Sequence, residues 1–429
     1  MSLANLPPEV LSLILHHVDS PRNLYHFISA SPASFRVFSQ SRKRILSSVI
    51  KNALPGQSVQ HALAVLQAPS VSRSQVHPFL DKYFGSTSSF DFPTNEAGLL
   101  QLYHLYNRIS YLLDGFLKSV QELGFDESVL RPSLTERTRL QRAFLRFELY
   151  SRVFPRRWID PYPSAEEASR REYQHPASQQ FSLFLANLTP WEAEEMACIQ
   201  LYFSCLIDKF IDERGDQPAQ EKDNQKVRLV NFGLLDLTSL VLFSSDGRYR
   251  SPDYVSYMTS LGLDFMYNLV KYKSKRAELI RTNHPMDREF LPEALKHSPR
   301  VMPGGEYDVS SANDTADDDD PSHSNLGYRQ FRKTGQTGKV HLGIHLTGSS
   351  YSSLRQLGYV FWDSGRIQTP EVLEKLSAAE RMSWDEIRLR FDRRKRETAE
   401  SLLKGTKLPI AEMERIEQEF GSAFLQDDE

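Results

Sequence analysis

The chain has 429 residues, 40% of them hydrophobic and 25% charged, so it can bury a sizeable core and has room for about two or three domains. A formal net charge of -3 excludes the global positive field that gathers nucleic acid or anionic lipid. The first residues lack a basic n-region and a small-residue cleavage site, and no run approaches the ~18 apolar residues of a bilayer span. A protein without a membrane segment, in the cytoplasm and/or nucleus, is the expectation.

The first predicted element lies in LPPEVLSLILHHVD, residues 6–19. Pro7 and Pro8 suit a first helical turn, where a missing N–H costs nothing. With Val10 at 0° and about 100° per residue, Ile14, Val18, Leu11 and Leu15 fall within an arc of about 140°. Glu9, Ser12 and His16 lie opposite, and Leu13 is left over beside the stripe, toward His17. Ser20-Pro21 reads as N-cap and first residue of a second helix carrying Leu24, Phe27 and Ile28. Ser31-Pro32 repeats the device for a third, expected to run through Phe35, Phe38, Ile45, Leu46 and Val49, with Arg36, Gln40, Lys43 and Arg44 outward. Three short helices in about 45 residues are near the size at which a core fails to hold by itself. Their apolar surface has to be completed by the rest of the chain or by another protein. A fully buried Leu or Ile contributes about 1.5–3 kcal/mol in either case.

Leu6-Pro7-x-Glu9-Val10-Leu11, followed by Ile14-Leu15, Val18 and Leu24, resembles the F-box motif in residue type and spacing. The resemblance implies a three-helix module, residues 1–48, that docks on the small adaptor of an SCF-type cullin-RING ubiquitin ligase and through it on the cullin. It places Leu6 and Pro7 in that interface and has Leu11, Ile14, Leu15 and Leu24 shape either the interface or the module's core. Glu9 and Val18 complete the candidate partner-binding set. The third helix departs from the pattern: many F-boxes carry a Cys-Lys/Arg-x-Trp-like segment where this chain reads Ala33-Ser34-Phe35-Arg36-Val37-Phe38. Ahead of it stands Ala30-Ser31-Pro32, which fungal members often share.

Further helix starts follow. Ser133-x-x-Glu136 is a capping box ahead of RLQRAFLRFELYSRVF, and Thr189-Pro190-Trp191-Glu192 precedes EEMACIQLYFSCLIDKF. Cys198 and Cys205 stand seven residues apart in that second segment, roughly 10 Å between Cα atoms and beyond disulfide reach, so they read as reduced core residues. Thr369-Pro370-Glu371, Ser377-x-x-Glu380 and Ser383-x-x-Glu386 are expected to start three more segments. Loops are expected at about 67–95, 155–178, 212–226 and 281–338. The last contains the acidic DVSSANDTADDDDPSHSN and is expected to be disordered at about 305–326. KVHLGIHLT, residues 339–347, is a candidate short strand.

RAFLRFELYSRVF, LTPWEAEEMACIQLYF and LRQLGYVFWDSGRI resemble a large family of fungal F-box-like proteins over about residues 95–370. The expected fold is mainly α: the N-terminal module, a large irregular helical body at 49–370, and charged C-terminal helices at 371–429. In the last, Arg393-Arg394-Lys395-Arg396 reads as an exposed helical face rather than a nuclear signal.

Catalytic signatures fail on inspection. TGQTGKV lacks the first phosphate-loop glycine, since position 333 is Lys333, and Val340 stands where Ser or Thr is needed. His341-x-x-x-His345 has helical metal-ligand spacing but no nearby third ligand, and Gly343 opposes a helix. Asp208-x-x-x-Asp212-Glu213 has the wrong spacing for carboxylates converging on Mg²⁺, as a helical prenyl-type enzyme would require. Tyr359, Phe361 and Trp362 read as core rather than as a ligand groove. The expected function is therefore non-catalytic recruitment of an unknown target protein to a ubiquitin ligase, with no cofactor, nucleic acid or membrane partner. The alternative is an intracellular helical scaffold whose F-box-like start is its first structural layer.

Overall fold

The computed structural model describes residues 6–68, 73–85, 89–155, 175–215, 252–282, 290–295, 297, 326–333 and 350–380. Within them every regular element is helical and no strand occurs. The candidate strand 339–347, His341 and His345, the acidic run 308–325 and the tail beyond residue 380 lie outside the described residues.

Local capping chemistry sets the first helices. α1 (Pro8–His16) follows Pro7 at the N-cap. In α2 (Pro21–Ala30) the Ser20 hydroxyl accepts the Asn23 N–H at 3.3 Å, and in α3 (Pro32–Gln40) Ser31 accepts the Ser34 N–H at 3.3 Å. The expected third helix is in fact two. The Ser41 N–H bonds to Val37 and Phe38 carbonyls and closes α3, while the Ser41 carbonyl starts α4 (Arg42–Ala53). The break lets α4 turn Ile45, Val49 and Ile50 onto α1 and a later helix while Phe35 stays in water. The boundary expected at residue 48 consequently falls inside α4, and Leu11, Leu15 and Leu24 share one continuous core with the body.

After α5 (Ser58–Gln67), the stretch expected as loop at 67–95 holds α6 (Arg73–Phe84), which spans Pro78 and buries Val76, Leu80 and Tyr83 at helical spacing. α7 (Glu96–Glu122) is capped by Asn95, whose side-chain oxygen accepts the Gly98 N–H at 2.7 Å. It buries Leu99, Leu102, Tyr106, Ile109, Leu113, Phe116 and Val120, the 3.6-residue period of an amphipathic helix. The predicted capping box opens α8 (Leu134–Val153) in full: the Ser133 hydroxyl accepts the Glu136 N–H and the Glu136 carboxylate accepts the Ser133 N–H. Beyond it run α9 (Ala177–Leu183), α10 (Pro190–Gly215), α11 (Pro252–Ser260), α12 (Gly262–Lys271) and α13 (Lys273–Thr282). α14 (Leu291–Leu295) and α15 (Leu326–Lys333) occupy part of what reads in sequence as a loop at 281–338. α16 (Ser350–Gln356), α17 (Ser364–Ile367) and α18 (Pro370–Glu380) close the described chain, and Ser377 lies inside α18 rather than starting a new segment.

α8 is the axis. Every residue from Thr138 to Ser151 is buried, and α5, α7, α10 and α12 pack around it. A helix enclosed on all sides must satisfy each charge internally, because an unpaired buried ion costs several kcal/mol. Glu136 receives Arg366 at 2.7 and 2.9 Å, and Arg139 meets Asp363 at 2.9 Å. Arg146 pairs with Glu192 and, at 3.3 Å, with Glu195. Glu148 accepts from Arg152 at 2.5 Å and from the Leu263 N–H at 2.6 Å. Gly262 makes the last contact possible: its φ of +79° opens α12, and a Cβ there would stand 2.7 Å from the Glu148 carboxylate.

Tyr359, Phe361 and Trp362 are core, as expected, with the Trp362 indole N–H donating to the Leu357 carbonyl at 2.8 Å and Phe361 edge-on to Phe116. Cys198 is buried, Cys205 half-buried, and both are free thiols.

Between α10 and α16, Arg355 clasps Glu194 through two bonds of 2.7 and 3.0 Å, both side chains buried. Arg355→Met strands the Glu194 carboxylate and is expected to cost about 3–5 kcal/mol, whereas Arg355→Met combined with Glu194→Leu costs far less. Denaturation midpoints of the single and double variants measure the difference, and equal losses would contradict it.

Candidate protein-docking surface

α1 carries apolar side chains on two faces. Leu11 and Leu15 are 1% and 0% exposed and pack inward. Two polar clamps from α4 fix that orientation. The Asn52 amide donates to the carbonyls of His16 and Val18 at 2.9 and 3.0 Å, satisfying the open end of α1, and His16 Nδ1 bonds with Ser48 Oγ at 2.8 Å. With Leu11 and Leu15 held inside, Val10 and Leu13 are turned out, 40% and 60% exposed. Val10, Leu13, Ile14 and His17 then share an arc of about 100° on the outer side.

Neighbouring helices extend this surface. α3 packs on both α1 and α2, and it exposes Phe35 (54%) as α2 exposes Tyr25 (61%). Arg22, Arg36, Lys43 and Arg44 are exposed on α2, α3 and α4, and Glu9 and Asp19 are exposed in the first turn of α1 and just beyond its end. Arg42 is drawn aside into an ion pair with Glu96 at 2.9 Å.

The candidate residues divide. Pro7 and Glu9 are exposed, Leu6 and Val18 are half-buried against the core, and Ile14 is half-buried, so each has surface to offer a partner. Leu11, Leu15 and Leu24 are core residues; of the two roles the motif allows them, their burial in the chain's own core fits the interior one. Leu13, Tyr25 and Phe35 were absent from the candidate set. Leu13 was legible as the residue outside the helical stripe. Phe35 reads in sequence as core, and its exposure follows from the break at Ser41. The buried stripe of α1 is thus narrower than the 140° arc and lies at its Leu11–Leu15 edge.

A second cluster of ionisable groups lies inside the body, where Arg142, Arg146, Glu192 and Glu195 from α8 and α10 meet Tyr83 and His61. Tyr83 Oη and His61 Nδ1 share a hydrogen bond of 2.8 Å, and His61 Nε2 is buried with no partner among the described residues. Burial foremost, then the charges of Arg146 and Arg142, hold the imidazole pKa well below its ordinary 6.5. Burial pushes the Tyr83 hydroxyl up to about 12. Burial alone would raise Glu192, but the Arg146 charge and the Thr189 N–H outweigh it and hold the carboxyl below its ordinary value. The charges satisfy one another, which suits a structural cluster.

Among the described residues no group of three or more His, Cys, Asp or Glu is placed to hold a metal ion, and no helix is long and apolar enough to cross a membrane. No family model, no curated protein and no solved structure matches the chain.

The depressed His61 pKa has a definite sign. Below about pH 6.5 the unfolded chain takes up a proton that the folded chain refuses, so stability falls as pH drops, by up to about 1.4 kcal/mol per unit from this group. His61→Gln is expected to flatten the stability–pH curve between about pH 6.5 and 5.5 by one proton's worth. Denaturation at stepped pH checks it; an unchanged slope would remove His61 as the source.

Proposed function

We propose that this chain is a non-catalytic recruiting subunit, whose α1–α3 surface docks on the adaptor of an SCF-type ubiquitin ligase while the helical body holds a target protein. One observation carries the reading. A short N-terminal helix spends Leu11 and Leu15 on its own core, yet keeps Val10 and Leu13 in water with Tyr25 and Phe35 exposed on the adjoining helices. Exposed apolar side chains gathered on packed helices mark interaction sites, and apolar and aromatic anchors supply most binding energy at interfaces. Leu6 and Pro7, the start of the F-box-like motif, stand at the leading edge of the same helix.

In this reading the chain accelerates ubiquitin transfer by proximity alone. Tethering raises the effective concentration of target lysines at the conjugating enzyme, and no side chain of this protein takes part in the chemistry. A second reading, a scaffold whose N-terminal helices are only its first layer, draws on the continuity of the core from Leu11 through α4 into α7 and α8.

Co-purification with the adaptor separates the two. Val10→Asp combined with Leu13→Asp is expected to weaken adaptor binding by at least about tenfold, with circular dichroism and melting unchanged because both positions are solvent-facing. A wild-type chain that fails to retain the adaptor leaves the scaffold.

A further inference from the structure

Further exposed apolar side chains lie in the connection between α7 and α8. Leu123, Leu130 and Leu134 are 51%, 41% and 73% exposed there, although Phe125 and Val129 between them are buried. The 3₁₀ turn Glu127–Leu130 faces the start of α18 across a cleft of about 610 Å³, lined among others by Glu127, Leu130, Arg131, Arg366, Glu371 and Val372. That volume is within the roughly 300–1,000 Å³ of ligand clefts. Leu123 adjoins it through Gly124, whose φ is +102° and where a Cβ would stand 2.8 Å from Lys375 of α18.

The floor of the cleft is rigid and electrically settled. Arg366 is neutralised by the buried Glu136 carboxylate, donates to Ser128 Oγ at 3.0 Å and lies over the Trp362 ring. Asp126 is engaged by the Ser128 N–H at 3.0 Å and the Ser128 hydroxyl at 2.5 Å. At the lip, Glu127 and Glu371 are exposed and have no ion-pair partner among the described residues, with Arg131 as the exposed cation lining the same cleft. Leu130 and Val372 supply the apolar part of the lining, and the acids Glu127 and Glu371 outnumber Arg131 among its exposed charges, with Lys375 set back beside Gly124.

We propose that this cleft docks a peptide segment of a partner protein in which an apolar side chain, seated against Leu130, is flanked by Lys or Arg facing Glu127 and Glu371. The site shares no residue with the α1–α3 surface, so it holds or fails independently of adaptor docking.

The test is fluorescence anisotropy of the full chain with a labelled synthetic peptide in which leucines flank an Arg-Lys pair, and with its counterpart carrying Glu-Asp. Saturable binding of the basic probe is expected, weakening as salt is added. It is expected to fall at least about tenfold in Glu127→Lys/Glu371→Lys and in Leu130→Ser, and to stay unchanged in Leu13→Asp. These positions are exposed, and unchanged circular dichroism confirms that the variants are folded. No saturable binding of the basic probe, equal binding of the acidic one, or indifference to the cleft substitutions overturns the proposal. Replacement of Arg393, Arg394, Lys395 and Arg396 by Gln that tightens probe binding would assign the cleft to the chain's own basic tail, and overturns an external partner equally.

Discussion

A helix that buries five charged side chains is the constraint on which this structure turns. α8 cannot leave Glu136, Arg139, Arg142, Arg146 or Glu148 to water, since all are buried. Each must find its complement in the protein, and apart from Arg152, one turn beyond Glu148, the partners are far away in sequence: Glu192 and Glu195, the backbone at Leu263, Asp363, and Arg366. Buried ion pairs add little net stability over apolar substitutes of the same shape, but they are costly to break. Their consequence is register. These pairs tie α10, α12 and residues 363–366 to α8, within an arrangement that hydrophobic burial stabilises.

The same interior explains the behaviour of the N-terminal helices. Leu11, Leu15 and Leu24 belong to the body's continuous core, and α4 joins α1 to α7 through Ile45, Val49 and Ile50. α1 is therefore held from one side, with Asn52 and His16 locking its rotation. A helix so anchored presents its other face in a fixed geometry, which lowers the ordering cost of binding. The exposed surface of α1–α3 and the cleft between the α7–α8 connection and α18 lie on separate elements around one continuous core.

Particular segments show where sequence reading succeeds. The caps at Ser20, Ser31 and Ser133–Glu136 are local chemistry within four residues, and all three form as the sequence predicts. α6 is missed, because Ser and Pro78 argue for a loop while only packing against the body, through Val76, Leu80 and Tyr83, makes a helix worthwhile. The break at Ser41 is equally silent, since Ser41 resembles the surface serines around it and the bend is decided by where α4 must deliver its apolar stripe. For the candidate residues, the motif assigns Leu11, Leu15 and Leu24 no single role, whereas the structure buries all three, and the candidate set leaves out the exposed Val10, Leu13, Tyr25 and Phe35.

By itself the sequence determined the helical class, the capped helix starts at Ser20, Ser31 and Ser133, and the amphipathic character of α1, because propensity, capping and periodicity act over a few residues. Tertiary structure alone decided which apolar edge of α1 turns inward, that the first helices share the body's core, and that distant acids and bases meet at α8. Those choices depend on what lies opposite each face, and a linear pattern with two apolar faces holds no information about which will be covered.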